Sequence, residues 1–117
     1  MRRSNTKKFS ELLSNMDGII TPYEADYAKH VYHLYVIKTE NRDKLREKLK
    51  SEGVATGIHY PIPLHLQPAY NYLGYKRGDF PVTEECSQKI LSLPMFAELT
   101  NRQIEEIVEL IKDYFKK

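Results

Sequence analysis

Three prolines, Pro61, Pro63 and Pro68, fall within the stretch Gly57-Ile58-His59-Tyr60-Pro61-Ile62-Pro63-Leu64-His65-Leu66-Gln67-Pro68-Ala69-Tyr70, so no regular element continues through the middle of this 117-residue chain. Proline fixes its own φ, lacks a backbone donor and pushes the residue before it toward extended geometry; Tyr60, Ile62 and Gln67 are therefore expected to be non-helical. A stiff loop of this kind holds its side chains in place. It carries two of the four histidines, His59 and His65, together with Tyr60 and Tyr70. Rings in such a loop either cover a core or face a ligand, and the residues by themselves leave both readings open.

The flanking sequence predicts short elements. Residues 3 to 15 suit a helix with Phe9, Leu12 and Leu13 on one side, stopped by Asn15 and Gly18. Val31 to Ile37 reads as a central strand, with Tyr32, Leu34 and Val36 on one face and His33, Tyr35 and Ile37 on the other. Asn41 is an expected N-cap for a helix from Arg42 to about Glu52, where Leu45 and Leu49 face inward, the charged residues face out and Gly53 ends the element. Val54 to Ile58 reads as a second strand running into the proline loop, and a helical turn is expected after Pro68. Pro81 opens a helix to about Lys89, and Ile90 to Leu93 forms a third strand closed by Pro94. The last helix is the clearest. Thr100 and Gln103 make a capping box, Ile104, Ile107, Val108, Ile111 and Phe115 form its apolar stripe, and Lys112, Lys116 and Lys117 suit its C-terminal end. Strands interleaved with one-sided helices point to an α+β layer in one small domain.

Several functions are disfavoured by composition. Eighteen basic against sixteen acidic residues give a net charge of +2, which marks neither nucleic acid nor anionic lipid as a partner. The basic run Arg2, Arg3, Lys7 and Lys8 is short and helix-compatible, with no recognition motif around it. No apolar run is long enough to cross a bilayer, and no signal-like stretch follows Met1. The single cysteine, Cys86, has no partner for an internal disulfide, and cytoplasmic residence is the default expectation. The histidines show no zinc-like spacing with thiols or carboxylates, so no metal site is expected. Asp79 and Glu84 read as a turn residue and a helix-start acid.

Taken together, GIHYPIPLHLQPAY, LGY (Leu73 to Tyr75), GDFPVTEE (Gly78 to Glu85), LSLPM (Leu91 to Met95), HVYHLYVI (His30 to Ile37) and ELTNRQIEEIVELI (Glu98 to Ile111) resemble the C-terminal part of the pyridoxal-phosphate-dependent sugar aminotransferases of the DegT/StrS family. The resemblance implies the small domain of a fold-type I aminotransferase, a three-stranded antiparallel sheet covered by helices. Residues 1–18 would be a linker helix and 30–117 the core of a single domain. It also implies that a large, cofactor-binding domain lies outside this chain, bearing the Schiff-base lysine, the acidic partner of the pyridine nitrogen and the phosphate-binding turn. The lysines here sit in charged runs such as Lys44, Lys48 and Lys50, unsuited to a desolvated amine.

Pyridoxal phosphate is thus the cofactor of the whole enzymes, none is expected on this chain alone, and no catalytic residue is expected in it. By the same resemblance His59, Tyr60 and His65 would bind a nucleotide-linked sugar, with Gln67 and Tyr70 as weaker candidates. Imidazole and phenol donate and accept, and a tyrosine ring offers an apolar face to a pyranose or base. Expected partners are the nucleotide-linked sugar and either a cofactor-binding large domain or further copies of the chain. Two functions follow as expectations: part of an aminotransferase acting from glutamate to a nucleotide-linked keto-sugar, inactive alone, or a non-catalytic binding or oligomerisation module derived from it.

Overall fold

The computed structural model describes residues 1–116; Lys117, expected to support the end of the last helix, lies outside the described residues. Helix α1 (Arg2–Leu13) leads to β1 (Ile19–Ile20), β2 (Tyr35–Thr39) and α2 (Arg42–Ser51). Two 3₁₀ turns follow, Leu64–Leu66 and Pro68–Leu73, and then α3 (Pro81–Lys89), β3 (Ile90–Leu93) and α4 (Asn101–Phe115). The strands form one antiparallel sheet in the order β1-β2-β3.

Register separates the two faces of this sheet. Tyr35 lies opposite Leu93 and Ile37 opposite Leu91, so these four residues share one face, which Ile19, opposite Thr39, extends. All of them are buried. Phe9 and Leu13 of α1, Leu45 and Leu49 of α2, and Ile104, Ile107, Val108 and Ile111 of α4 close over that face as one core. Each such side chain contributes about 1.5–3 kcal/mol by leaving water. Phe9 stacks on Tyr35 with ring centroids 5.0 Å apart, and the phenol reaches Ser10 Oγ at 3.0 Å. Burial pushes the Tyr35 phenol up to about 12.

The capping box of α4 forms as read: Gln103 N–H donates to Thr100 Oγ1 and Thr100 N–H to Gln103 Oε1. Phe115 is half-buried at the edge of the core and lies against Gly18, where a Cβ would come within 2.9 Å of its ring and where φ is +92°.

Four expectations are corrected. The strand expected at Val31–Ile37 begins only at Tyr35, because Tyr32 takes φ of +52° and its N–H turns to His30 Nδ1 at 2.7 Å. His33 is consequently exposed loop rather than strand. The strand expected at Val54–Ile58 shrinks to a single bridge, in which Gly57 and Ser92 exchange hydrogen bonds of 3.1 and 2.7 Å. The strand that takes its place in the sheet is Ile19–Ile20, two residues long and without a period to read, while Ile90–Leu93 forms as read. Asn41 precedes α2 as expected but caps it with no side-chain hydrogen bond; it sits in the left-handed region at φ of +54°, which asparagine tolerates. Arg42 does not face out: it is buried, donating to Ile90 O at 2.9 Å and pairing with Asp43 at 2.9 Å.

Candidate functional site

The opposite sheet face carries Val36, Lys38, Ile90 and Ser92, by the same register that sends their neighbours into the core. Ser92 is the pivot. Its backbone pairs with Gly57, and its hydroxyl lies 2.9 Å from His59 Nδ1, so strand β3 fixes both the entry of the proline loop and the first ring in it. A Cβ at Gly57 would fall 2.7 Å from His59 Cε1 and would push that ring aside. The next peptide, His59–Tyr60, is cis, and the two rings meet edge to face at 5.4 Å. Tyr60 is 70% exposed.

Two adjoining clefts open along this loop. One, of about 300 Å³, is walled by His59, Tyr60, Ile62 and Gln67 from the loop and by Val82, Cys86 and Ser87 from α3. The other, of about 390 Å³, is lined by His65, Tyr70, Leu73, Tyr75 and Phe80 and is mostly apolar. Leu64 and Thr83 belong to both. Both volumes fall at the low end of the range for small-molecule sites.

The residues expected to bind a ligand are therefore brought to one side of the molecule but into two clefts. His59 and Tyr60 share the first and His65 stands in the second. His65 is also buried, with Nε2 committed to Glu84 Oε2 at 3.0 Å and its ring edge-on to Phe80 at 4.8 Å. Gln67 donates to Ile62 O at 3.2 Å across the loop, while Tyr70 lines the second cleft. Donated hydrogen bonds, first from Gly78 N–H and then from His65 and Phe80 N–H, hold the Glu84 carboxyl below its ordinary range. Asp79 accepts from Lys76 N–H at 2.8 Å, the turn role read for it.

A second polar cluster ties α1 to the 24–33 loop. Arg3 forks onto Glu24, with Nη2 to Oε1 at 3.1 Å, and donates to His30 O at 2.7 Å; Glu24 in turn accepts from His30 N–H at 2.7 Å. These bonds, the Arg3 guanidinium foremost, bring the Glu24 carboxyl down to about 2. Arg2 donates to the carbonyls of Tyr32 and His33 at 3.1 Å each and of Met95 at 3.3 Å. The arginine pair is thus a brace.

Sequence reading missed Ser92, Gly57 and Glu84 as supports of the loop. Ser92 had a signal, being polar in the apolar run Ile90-Leu91-Ser92-Leu93. The Glu84 link to His65, 19 residues away, had none.

Among the described residues no group of three or more histidine, cysteine or acidic side chains is placed to hold a metal, and no helix is long and apolar enough to cross a membrane. Pyridoxal phosphate does not fit the donor set of the two clefts, which among the described residues are lined by no lysine or arginine. Lys89, at the end of α3, is engaged by Glu40 at 2.7 Å and Glu85 at 2.9 Å, which raises its pKa rather than freeing an amine.

An α+β small domain with a braced proline loop on the sheet face opposite its main core is what this arrangement defines. The chain belongs to the DegT/DnrJ/EryC1/StrS aminotransferase family, whose profile matches residues 1–112. A pleiotropic regulatory protein of Geobacillus stearothermophilus is 42% identical over 117 residues, 98% of this chain and 32% of its own length. A dTDP-3-amino-3,4,6-trideoxy-alpha-D-glucose transaminase of Streptomyces venezuelae is 34% identical over 87% of this chain and 27% of its own length. The crystal structure of S. venezuelae DesV in complex with a ketimine intermediate superimposes with a TM-score of 0.95 at 31% identity, over 99% of this chain and 31% of that one. The chain thus spans less than a third of each of these proteins, and its fold is the small domain of a fold-type I aminotransferase.

Proposed function

We propose that these residues serve as the C-terminal small domain of an aminotransferase that moves an amino group from glutamate to a nucleotide-linked keto-sugar, in the biosynthesis of polysaccharides or amino sugars. The chain's contribution is recognition and enclosure. His59 and Tyr60 present a polar ring edge and an exposed aromatic face at the mouth of one cleft, suited to sugar hydroxyls and to a pyranose or base. His65 and Tyr70 shape the neighbouring cleft. The cofactor and its covalent lysine belong to a large domain outside these residues, so the chain alone does not transaminate.

The observation that carries this reading is the braced, aromatic-rich loop, in which Ser92 fixes the His59 ring and Glu84 holds His65 beside two adjoining clefts. Such a surface suits recognition of a sugar by hydrogen-bonding ring edges and aromatic faces. Calorimetric titration of the chain with a nucleotide-diphosphate-linked amino sugar, alone and mixed with the separately produced large domain of a relative, tests it. The expected outcome is binding that weakens in His59→Ala and Tyr60→Phe, and transaminase activity only in the mixture. Activity of the chain alone, or a mixture indifferent to both substitutions, would refute it.

One observation favours a second reading, a non-catalytic binding or oligomerisation module. Tyr60, Ile62, Leu64, Tyr72, Leu73 and Val82 are each more than half exposed on the 60–82 segment. Apolar groups so concentrated mark a contact surface. Light scattering separates the readings: a stable oligomer unaffected by the large domain supports the module.

A further inference from the structure

Glu84 stands in the first turn of α3 and reaches back along the chain. Its carboxylate accepts Gly78 N–H on both oxygens, at 2.9 and 2.8 Å, and Phe80 N–H at 3.2 Å, while one oxygen meets His65 Nε2 at 3.0 Å. A single side chain thereby joins the 64–66 turn, the 78–80 turn and α3. An acid in a first helical turn ordinarily accepts backbone N–H groups at its own helix end, and that accounts for Gly78 and Phe80. It does not account for a buried histidine 19 residues earlier.

The position of the pair matters more than its strength. His65 is 7% exposed, and the aromatic row His65, Phe80 and Tyr75 continues from it with centroid separations of 4.8 and 5.0 Å. Leu64 and Thr83, the two residues common to both clefts, are the chain neighbours of His65 and Glu84. A shift of either member therefore moves a wall of each cleft. We infer that Glu84 is a positioning residue acting through His65, a latch that fixes the width of both clefts before a ligand arrives. Preorganisation of this kind lowers the ordering cost of binding. Its consequence for sugar recognition rests on the function proposed above, whereas the latch does not.

Amide hydrogen exchange of the whole chain, followed residue by residue by NMR in Glu84→Gln, His65→Phe and His65→Gln, tests the inference. Either of the first two substitutions should speed exchange at both Leu66 and Gln67 and at Gly78 and Phe80 by about tenfold or more, the factor a hydrogen bond to an ionised group is worth. Amides of α4 should be unchanged, and His65→Gln, which keeps a donor, should recover most of the protection. If His65→Phe leaves Gly78 and Phe80 untouched while Glu84→Gln loosens only those two, Glu84 is a helix cap and the latch is refuted. Uniform acceleration that includes α4 would refute it as well. In a parallel titration with a nucleotide-diphosphate-linked amino sugar, latch variants should bind more weakly than the unaltered chain. Equal binding would sever the latch from recognition; no binding by the unaltered chain would count against the proposed function, leaving exchange to decide the latch.

Discussion

Gly57→Ala is the smallest perturbation that should disturb the candidate site while leaving the core alone. The added methyl would stand 2.7 Å from His59 Cε1 and 3.4 Å from each ring nitrogen, so the ring must retreat until the nearest contact reaches at least 3.4 Å. Two groups resist that movement: the 2.9 Å bond between His59 Nδ1 and Ser92 Oγ, and the paired backbone bonds between Gly57 and Ser92. Losing the side-chain bond while leaving the buried Ser92 hydroxyl poorly partnered costs about 1–3 kcal/mol. Alanine restricts the unfolded chain and returns about 0.4–1 kcal/mol. The net expectation is a loss of about 1–2 kcal/mol, or a fall in Tm of roughly 5–10 °C for a domain of this size. Urea and thermal unfolding of Gly57→Ala, Ser92→Ala and the double variant measure both the cost and its route. If the methyl acts through the His59–Ser92 bond, the double variant should be less damaged than the sum of the singles by at least about 0.5 kcal/mol. Additive losses, or a Gly57→Ala chain as stable as the parent, would refute the steric argument.

Three further outcomes follow from the geometry. Glu24 is held near about 2 against an ordinary 4.5, so its contribution is complete above pH 4.5 and fades as pH falls through about 2; the stability gap between the parent and Glu24→Gln should shrink over that window in urea unfolding. The Tyr35 phenol, raised from 10 to about 12, keeps its proton in the fold while the unfolded chain loses it, so stability should fall as pH rises from 10 toward 12, and Tyr35→Phe should lessen that slope, part of which the raised Tyr32 phenol and Lys89 also supply, at a cost of about 1 kcal/mol from the lost Ser10 bond. Ile104→Ala, which empties a fully buried position beneath the sheet, should cost about 2–5 kcal/mol and be visible as a loss of cooperative unfolding near ambient temperature.

What the sequence disclosed and what it withheld divide along the range of the forces involved. Helix α4 was legible because its determinants are local: Thr100 and Gln103 cap each other three residues apart, and its stripe repeats at helical spacing. Helices α1 and α3 were legible for similar reasons. The start of β2 was misread because Val31 and Tyr32 have strand propensity, yet Arg2, 30 residues away, takes up the Tyr32 carbonyl and His30 takes its N–H. Of the expected Val54–Ile58 strand only Gly57 pairs, with Ser92, and β1 was too short for any alternation to show. In the candidate site, His59 and Tyr60 were named from the family resemblance, residue types alone leaving a core role equally open. The ties that hold them, from Ser92 and Glu84, are long-range pairings that no local pattern encodes.

Strand β3 shows how fold and site are kept apart within four residues. Leu91 and Leu93 point into the core opposite Ile37 and Tyr35, whereas Ser92, by the two-residue period of a strand, points the other way toward His59. An apolar residue at 92 would suit strand propensity as well, but it would leave His59 Nδ1 without its partner and the loop without its anchor. The one polar residue in Ile90-Leu91-Ser92-Leu93 is therefore a departure from the best local choice at the point where β3 meets the proline loop, set by the His59 contact rather than by strand packing. Because α1, α2 and α4 close the core side, the proline loop lies on the other face of the sheet beside α3, with Tyr60 exposed. Substitutions on the two faces should accordingly separate: Leu91 and Leu93 govern whether the domain folds, and Ser92 governs what its loop presents.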